Sequence, residues 1–210
     1  MLEIISFVLG PVLTNVYLVA DPKTKAAVVI DPAWDGALIA SEAERRDWSI
    51  SQVWLTHAHF DHIAGAGELA ARVAPPPQIA LHPLDLPLWR MQGGAKMFGM
   101  HIDAGPEPQI ALAHRQILHL GEYEFEVRHA PGHTPGHVIF CCPAEKIVFC
   151  GDVIFQGSIG RTDLPGGDYH ALMDSIRTQI LTLEDETSLL SGHGVVTTVG
   201  EERVENPFLT

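Results

Sequence analysis

Residues 53–62 read Val53-Trp54-Leu55-Thr56-His57-Ala58-His59-Phe60-Asp61-His62. An apolar, strand-like run ends at Thr56, and four side chains able to ligate a metal follow within six residues. In extended backbone His57 and His59 point to one side. Asp61 and His62 fall where the chain turns into a helix. One ion cannot take all four donors from so short a segment, whereas two adjacent ions can. The bland reading, a chance histidine cluster on a solvated loop, fits poorly. A strand end running into a small-residue helix is where open α/β sites form.

Outward from this stretch, apolar patterning predicts strands over 2–9, 16–19, 26–30, 51–55 and 78–81, and helices over 35–47 and 62–73. Pro75-Pro76-Pro77 stops the second helix. Residues 91–109, rich in Gly and Pro, read as a long loop able to line a site. In the second half Tyr123, Phe125 and Val127 alternate with charged residues, as in a half-buried antiparallel strand. Residues 138–142 and 147–150 predict a hairpin. A helix is expected over 168–183 with Asp168 as its cap, then a strand over 188–190. Thr198 with Glu201 reads as a capping box. The expectation is one domain over 1–210, an α/β sandwich with two mixed sheets inside and helices outside.

Three further strand ends each offer one metal-type donor beside glycine: Gly132-His133-Thr134-Pro135-Gly136-His137, Gly151-Asp152 and Ser191-Gly192-His193-Gly194. A single such residue is more often structural. Three of them, following a His-x-His-x-Asp-His segment, point to a shared site.

The 210 residues are 46% hydrophobic and 19% charged, with net charge −13. That is the composition of a folded globular chain, and its negative field disfavours nucleic acid or an anionic membrane as partner. Twelve histidines raise the expectation of metal or proton chemistry. Cys141, Cys142 and Cys150 lie in apolar runs and read as buried thiols in a reducing compartment. Residues 4–20 are uncharged but lack a basic leader and are broken by Gly10-Pro11, so a cytoplasmic protein is expected. His82, His101, His114, His119 and His170 sit in no ligating pattern, and His129 reads as a core residue. Phe155 and Tyr169 are expected to pack rather than line a pocket.

Taken together, the motifs resemble the metallo-β-lactamase superfamily, and within it the short, single-domain glyoxalase II (hydroxyacylglutathione hydrolase) branch, over essentially the whole chain. The resemblance implies a four-layer αββα sandwich. It implies one metal held by His57, His59 and His133, a second by Asp61, His62 and His193, and Asp152 bridging both. Two divalent ions are implied, zinc first, with iron or manganese also suited. A water shared by two such ions is acidified enough to attack an acyl carbonyl near neutral pH, with Asp61 and Asp152 as the catalytic carboxylates. The Cys expected at position 152 in the commonest dizinc β-lactamases, and the Glu expected at position 59 in flavo-diiron proteins, are both missing. The implied reaction is hydrolysis of a small thioester such as S-lactoylglutathione. The runner-up is a persulfide dioxygenase using one iron on His57, His133 and Asp152.

For substrate binding the candidates are Arg161, in a Gly-Arg-Thr-Asp segment similar to that of short glyoxalase II-like proteins, and His137, which four residues after His133 either faces the substrate or supports a ligand. Arg161 would clamp a substrate carboxylate, or else pair with Asp163. Long-form glyoxalase II carries a C-terminal helical extension. Only residues 195–210 follow here, which implies a broader thioesterase.

Overall fold

The computed structural model describes residues 1–209; Thr210, the last residue of the expected domain, lies outside them. Fourteen strands are named in chain order. β1 (Glu3–Leu9), β2 (Thr14–Ala20), β3 (Ala26–Ile30), β4 (Ser49–Trp54), β5 (Gln78–Leu81) and β6 (Ile110–Ala111) lie side by side in that order as one sheet. Its first three strands are antiparallel and the rest parallel. A second sheet takes β7 (Ile117–Leu120), β8 (Tyr123–His129), β9 (Val138–Cys142), β10 (Ile147–Gly151), β13 (Ser188–Ser191) and β14 (Thr197–Thr198), with only β10 and β13 parallel. β11 (Ile154–Phe155) and β12 (Ser158–Ile159) form a separate small hairpin.

Period-2 alternation sorts each central strand between two cores. On β2, Val16, Leu18 and Ala20 face one apolar cluster while Tyr17 and Val19 face another; on β9, Ile139 and Cys141 part from Val138, Phe140 and Cys142 in the same way. Three apolar layers result. One lies between the first sheet and helices α1 (Gly36–Arg45) and α3 (Ala66–Arg72), one between the sheets around Trp54, Phe125, Phe140 and Phe149, and one between the second sheet and α5 (Tyr169–Ser175). This is the expected αββα sandwich.

Some elements differ from their sequence reading. The helix expected over 62–73 is two pieces, α2 (Phe60–Ile63) and α3, parted where Gly65 N donates to Pro32 O at 2.8 Å. Residues 91–109 are not all loop: α4 (Leu86–Arg90) leads into a 3-10 segment, Gln92–Phe98. The helix expected over 168–183 begins at its Asp168 cap, which accepts from Ala171 N at 3.0 Å, but turns to π geometry over Ile176–Ile180. The capping box of Thr198 and Glu201 opens α6 (Val199–Glu205). Among the described residues no helix is long and apolar enough to cross a membrane.

Candidate metal centre

Every expected donor sits where a strand stops. β4 delivers His57 and His59, and α2 then turns Asp61 and His62 back towards them. His133 follows β8, Asp152 follows β10 and His193 follows β13. Their side chains converge into groups whose donor atoms lie within 4.8 Å of one another: His57, His59 and His133 in one, Asp61, His62 and His193 in another. Asp152 stands between them. Its Oδ1 is 3.4 Å from His62 Nε2, and its Oδ2 is 3.5 Å from His133 Nε2 and 3.6 Å from His193 Nε2. Asp61 Oδ2 is 3.2 Å from His193 Nε2 and 3.5 Å from His62 Nε2.

The imidazole hydrogen bonds decide which nitrogen is left for a cation. Thr56 Oγ1 donates to Asp31 Oδ2 at 2.6 Å, so its lone pair is free to accept from His57 Nδ1 at 3.0 Å. His62 Nδ1 donates to Asp31 at 2.9 Å and His133 Nδ1 to the carbonyl of Arg161 at 2.8 Å. Spending the rear nitrogen as donor leaves Nε2 of His57 and His62 bare and basic, which is how a metal-binding histidine is oriented. Nε2 of His133 instead meets Nδ1 of His59 at 2.8 Å. Among the described residues, His57 Nε2, His62 Nε2 and Asp152 Oδ1 of the donor set, and His137 Nδ1 behind it, are buried with no hydrogen-bond partner. Buried polar atoms of this kind are costly unless a group from outside the protein chain satisfies them. Five imidazoles and two carboxylates therefore fit a metal centre, and their chemistry suits zinc, iron or manganese.

Electrostatics agree with this division of labour. Burial opposes ionisation of Asp61 and Asp152, but the imidazoles around them outweigh it and hold both carboxyls below their ordinary range. Burial also opposes charge on His62, yet Asp152, Asp61 and Asp31 together raise its pKa. Burial first, and neighbouring imidazoles second, push His57 and His59 down, His59 to about 3. Both are thus neutral at ordinary pH, the ligating form.

For the two substrate candidates the structure shows the second of the alternatives the sequence left open. His137 is fully buried beneath the cluster, stacked on His57 at 4.8 Å, with Nε2 accepting from Asp152 N. Buried there it cannot touch a substrate; the substrate-facing reading is corrected, and the supporting one, here of the Asp152 loop, is what the hydrogen bond shows. Arg161 lines the site but its guanidinium makes two hydrogen bonds, 2.7 and 2.8 Å, to Asp163. Phe155, expected to pack, lines the cavity 6.0 Å from the His193 ring, whereas Tyr169 is exposed against His170. His129, expected in the core, is half-buried and stacks on His82 at 4.4 Å.

Several supporting residues carried no sequence signal. Asp31, just beyond the end of β3, binds Thr56 and His62. Thr14 Oγ1 donates to Asp61 at 3.2 Å. Asn15 and Tyr17 donate to the carbonyl of Ser191, which holds the His193 loop. Asp85 is wholly buried and accepts from Ala58 N, Thr134 Oγ1 and Gly136 N at 3.1, 2.7 and 2.6 Å. It thereby ties the His57–His59 turn to the His133 loop.

The donors open onto a cavity of about 380 Å³ whose wall includes Val12, Phe98, Met100 and Leu164. A wider groove of about 810 Å³ lies at the opposite end of β4, around Trp48 and Pro75, away from every donor.

Fold and donor set define a metal-binding hydrolase of known type. The metallo-beta-lactamase superfamily pattern matches residues 9–193, and the chain belongs to that superfamily. It is 38% identical to hydroxyacylglutathione hydrolase GloC of Haemophilus influenzae, over 93% of this chain and 92% of that one. Among solved structures it is similar to BLEG-1 B3 metallo-beta-lactamase, at 36% identity and TM-score 0.91 over all of both chains. It is likewise similar to TTHA1623 in a di-iron-bound form, at 39% identity and TM-score 0.88 over 98% of this chain and all of that one.

Proposed function

We propose that this chain is a binuclear, metal-dependent thioester hydrolase whose substrate is S-lactoylglutathione or a similar acyl thioester. The observation that carries the reading is the placement of Asp152 between two donor groups, within 3.6 Å of three imidazole nitrogens from both. His57, His59 and His133 would hold one ion, Asp61, His62 and His193 the other, with Asp152 shared. When bound, such a pair supplies an acidified water and positive charge for a developing oxyanion. Zinc suits the donors best. The similarity to GloC supports the substrate class.

The chain's own residues do the rest. Asp61, fixed by Thr14, presents an ionised oxygen at the cavity floor that can orient a water. His133 is held by the Arg161 carbonyl so that its Nε2 faces inward. Hydrolysis joins the water oxygen to the acyl carbon, breaks the carbon–sulfur bond and releases a carboxylic acid and a thiol. Net charge −13 and three free, buried cysteines favour a small-molecule substrate in the cytoplasm over nucleic acid or membrane.

Metal analysis of the loaded protein, beside assays of S-lactoylglutathione hydrolysis and of oxygen uptake with glutathione persulfide, tests this. Two ions per chain and thiol release are expected. One iron per chain with oxygen uptake would give the reaction to the dioxygenase alternative, with His57, His133 and Asp152 as its ligands.

A further inference from the structure

Beside the metal centre lies a second cavity of about 210 Å³. Leu88, Met91, Met97, Phe98, Pro135 and Leu164 line it, and His59 forms its inner end. His59, Phe98 and Leu164 also line the larger cavity over the donors, so the two spaces adjoin along these side chains. Among the described residues no lysine or arginine lines the smaller one. Asp85 reaches it, but both its oxygens are taken by the three hydrogen bonds described above.

The wall is built rather than incidental. Gly93, at φ 62°, seats the 3-10 segment on the ligand turn, and a methyl there would collide with the backbone of His59 and Phe60. Three of the chain's five methionines, Met91, Met97 and Met100, gather around the two cavities. Methionine is a soft, adaptable lining that accepts varied apolar shapes. Leu84, Met91, Met97 and Phe98 stay 45–63% exposed at the mouth. Soluble proteins seldom leave such residues clustered at a surface without a ligand or partner for them.

We propose that this side cavity is an acyl subsite, and that it extends the substrates beyond the lactoyl ester to thioesters of apolar, branched or aromatic acids. This rests on the thioesterase reading. An apolar cavity of roughly 150 Å³ already takes a benzene-sized ligand, so 210 Å³ accommodates a phenyl or short branched chain. The thiol halves of common thioesters are larger and polar, so the acyl half is the one that fits. Arg161, the one arginine or lysine among the described residues lining the larger cavity, is already neutralised by Asp163. Recognition thus falls to apolar contact more than to a carboxylate clamp.

The test uses metal-loaded enzyme and glutathione thioesters of acetic, lactic, 3-methylbutanoic and phenylacetic acids. kcat/KM for the phenylacetyl ester should exceed that for acetyl by about tenfold or more. Met97→Glu, which puts a carboxylate in the cavity mouth, should collapse that ratio towards one. Val204→Glu, on the exposed face of α6, should leave the ratio intact. Binding of phenylacetamide is followed separately by ligand-observed NMR on wild type and Met97→Glu. Thioester turnover with no acyl preference, or with a ratio untouched by Met97→Glu, overturns the subsite alone. A change of oligomeric state in Met97→Glu without change of selectivity assigns the patch to subunit contact and also overturns it. If no thioester is cleaved but phenylacetamide binding is lost in Met97→Glu, the cavity's apolar specificity stands and the thioesterase reading fails. If phenylacetamide binds neither protein and no thioester is cleaved, both fail.

Discussion

At the residue scale the centre tolerates little substitution where backbone meets ligand. Gly192 precedes His193, and a methyl on it would collide with Asp152 Oδ1 and His62 Cε1. Gly192→Ala should therefore fold but lose metal from both groups, measured as ions retained after gel filtration. Asp152→Ala should do the same, since one carboxylate serves two donor groups; two tightly held ions in that variant would falsify the bridge. Arg161 makes the opposite case. Its charge is spent on Asp163 in a half-exposed pair, and such pairs are worth about 0.2–1 kcal/mol. Its contact with His133 uses the backbone carbonyl, which any side chain keeps. Arg161→Ala should shift KM for anionic and neutral thioesters by the same factor, no more than about fivefold. A large selective rise for the anionic ester would restore the clamp that the sequence suggested.

At the scale of elements, the centre depends on loops being held in register by buried side chains. Asp85 sits at the foot of α4 and binds both ligand loops at once. Asp85→Ala leaves two backbone N–H groups and one hydroxyl without an acceptor, at a cost of about 1–3 kcal/mol for each that water cannot reach. The variant should unfold at lower denaturant and surrender metal to a colorimetric chelator faster than wild type. Metal loss at the wild-type rate would reduce Asp85 to a purely structural residue. The strands carrying Cys141, Cys142 and Cys150 make a simpler prediction. All three thiols are free and buried, and burial raises each pKa, Cys141 to about 12. None should react with a thiol reagent in native protein, and three should react in denaturant.

Across the whole molecule, His82 at the end of β5 stacks on His129 of the other sheet with an interplanar angle of 6°. Burial, and then the charge that His129 would bring, lower the His82 pKa to about 4. The unfolded chain, with an ordinary pKa of 6.5, binds that proton first. Stability from this pair is therefore complete above pH 6.5 and declines as pH falls towards 4. Urea unfolding at pH 7 and pH 5 should show a smaller loss in His82→Gln than in wild type. An equal loss in both would locate the acid sensitivity elsewhere.

What the sequence by itself determined was the chemistry and the layer pattern. Alternation along 123–127, and the unbroken apolar runs at 26–30, 138–142 and 147–150 that suit strands covered on both faces, are local properties, because a strand's side chains change face at every residue whatever its neighbours are. The donors were legible for the same reason: His57, His59, Asp61 and His62 lie in one short run, and His133, Asp152 and His193 each sit beside glycine at a strand end. Only the tertiary structure decided which donors share a group, which imidazole nitrogen is bare, and what holds the loops. Asp31 and Thr56 are 25 residues apart, Thr14 and Asp61 47, and Asp85 and Gly136 51. No spacing rule links such pairs, because sheet register and not chain distance brings them together. The same holds for His137 and Arg161. Their residue types suited substrate contact, but only the fold shows that His137 is buried and that the Arg161 guanidinium pairs with Asp163.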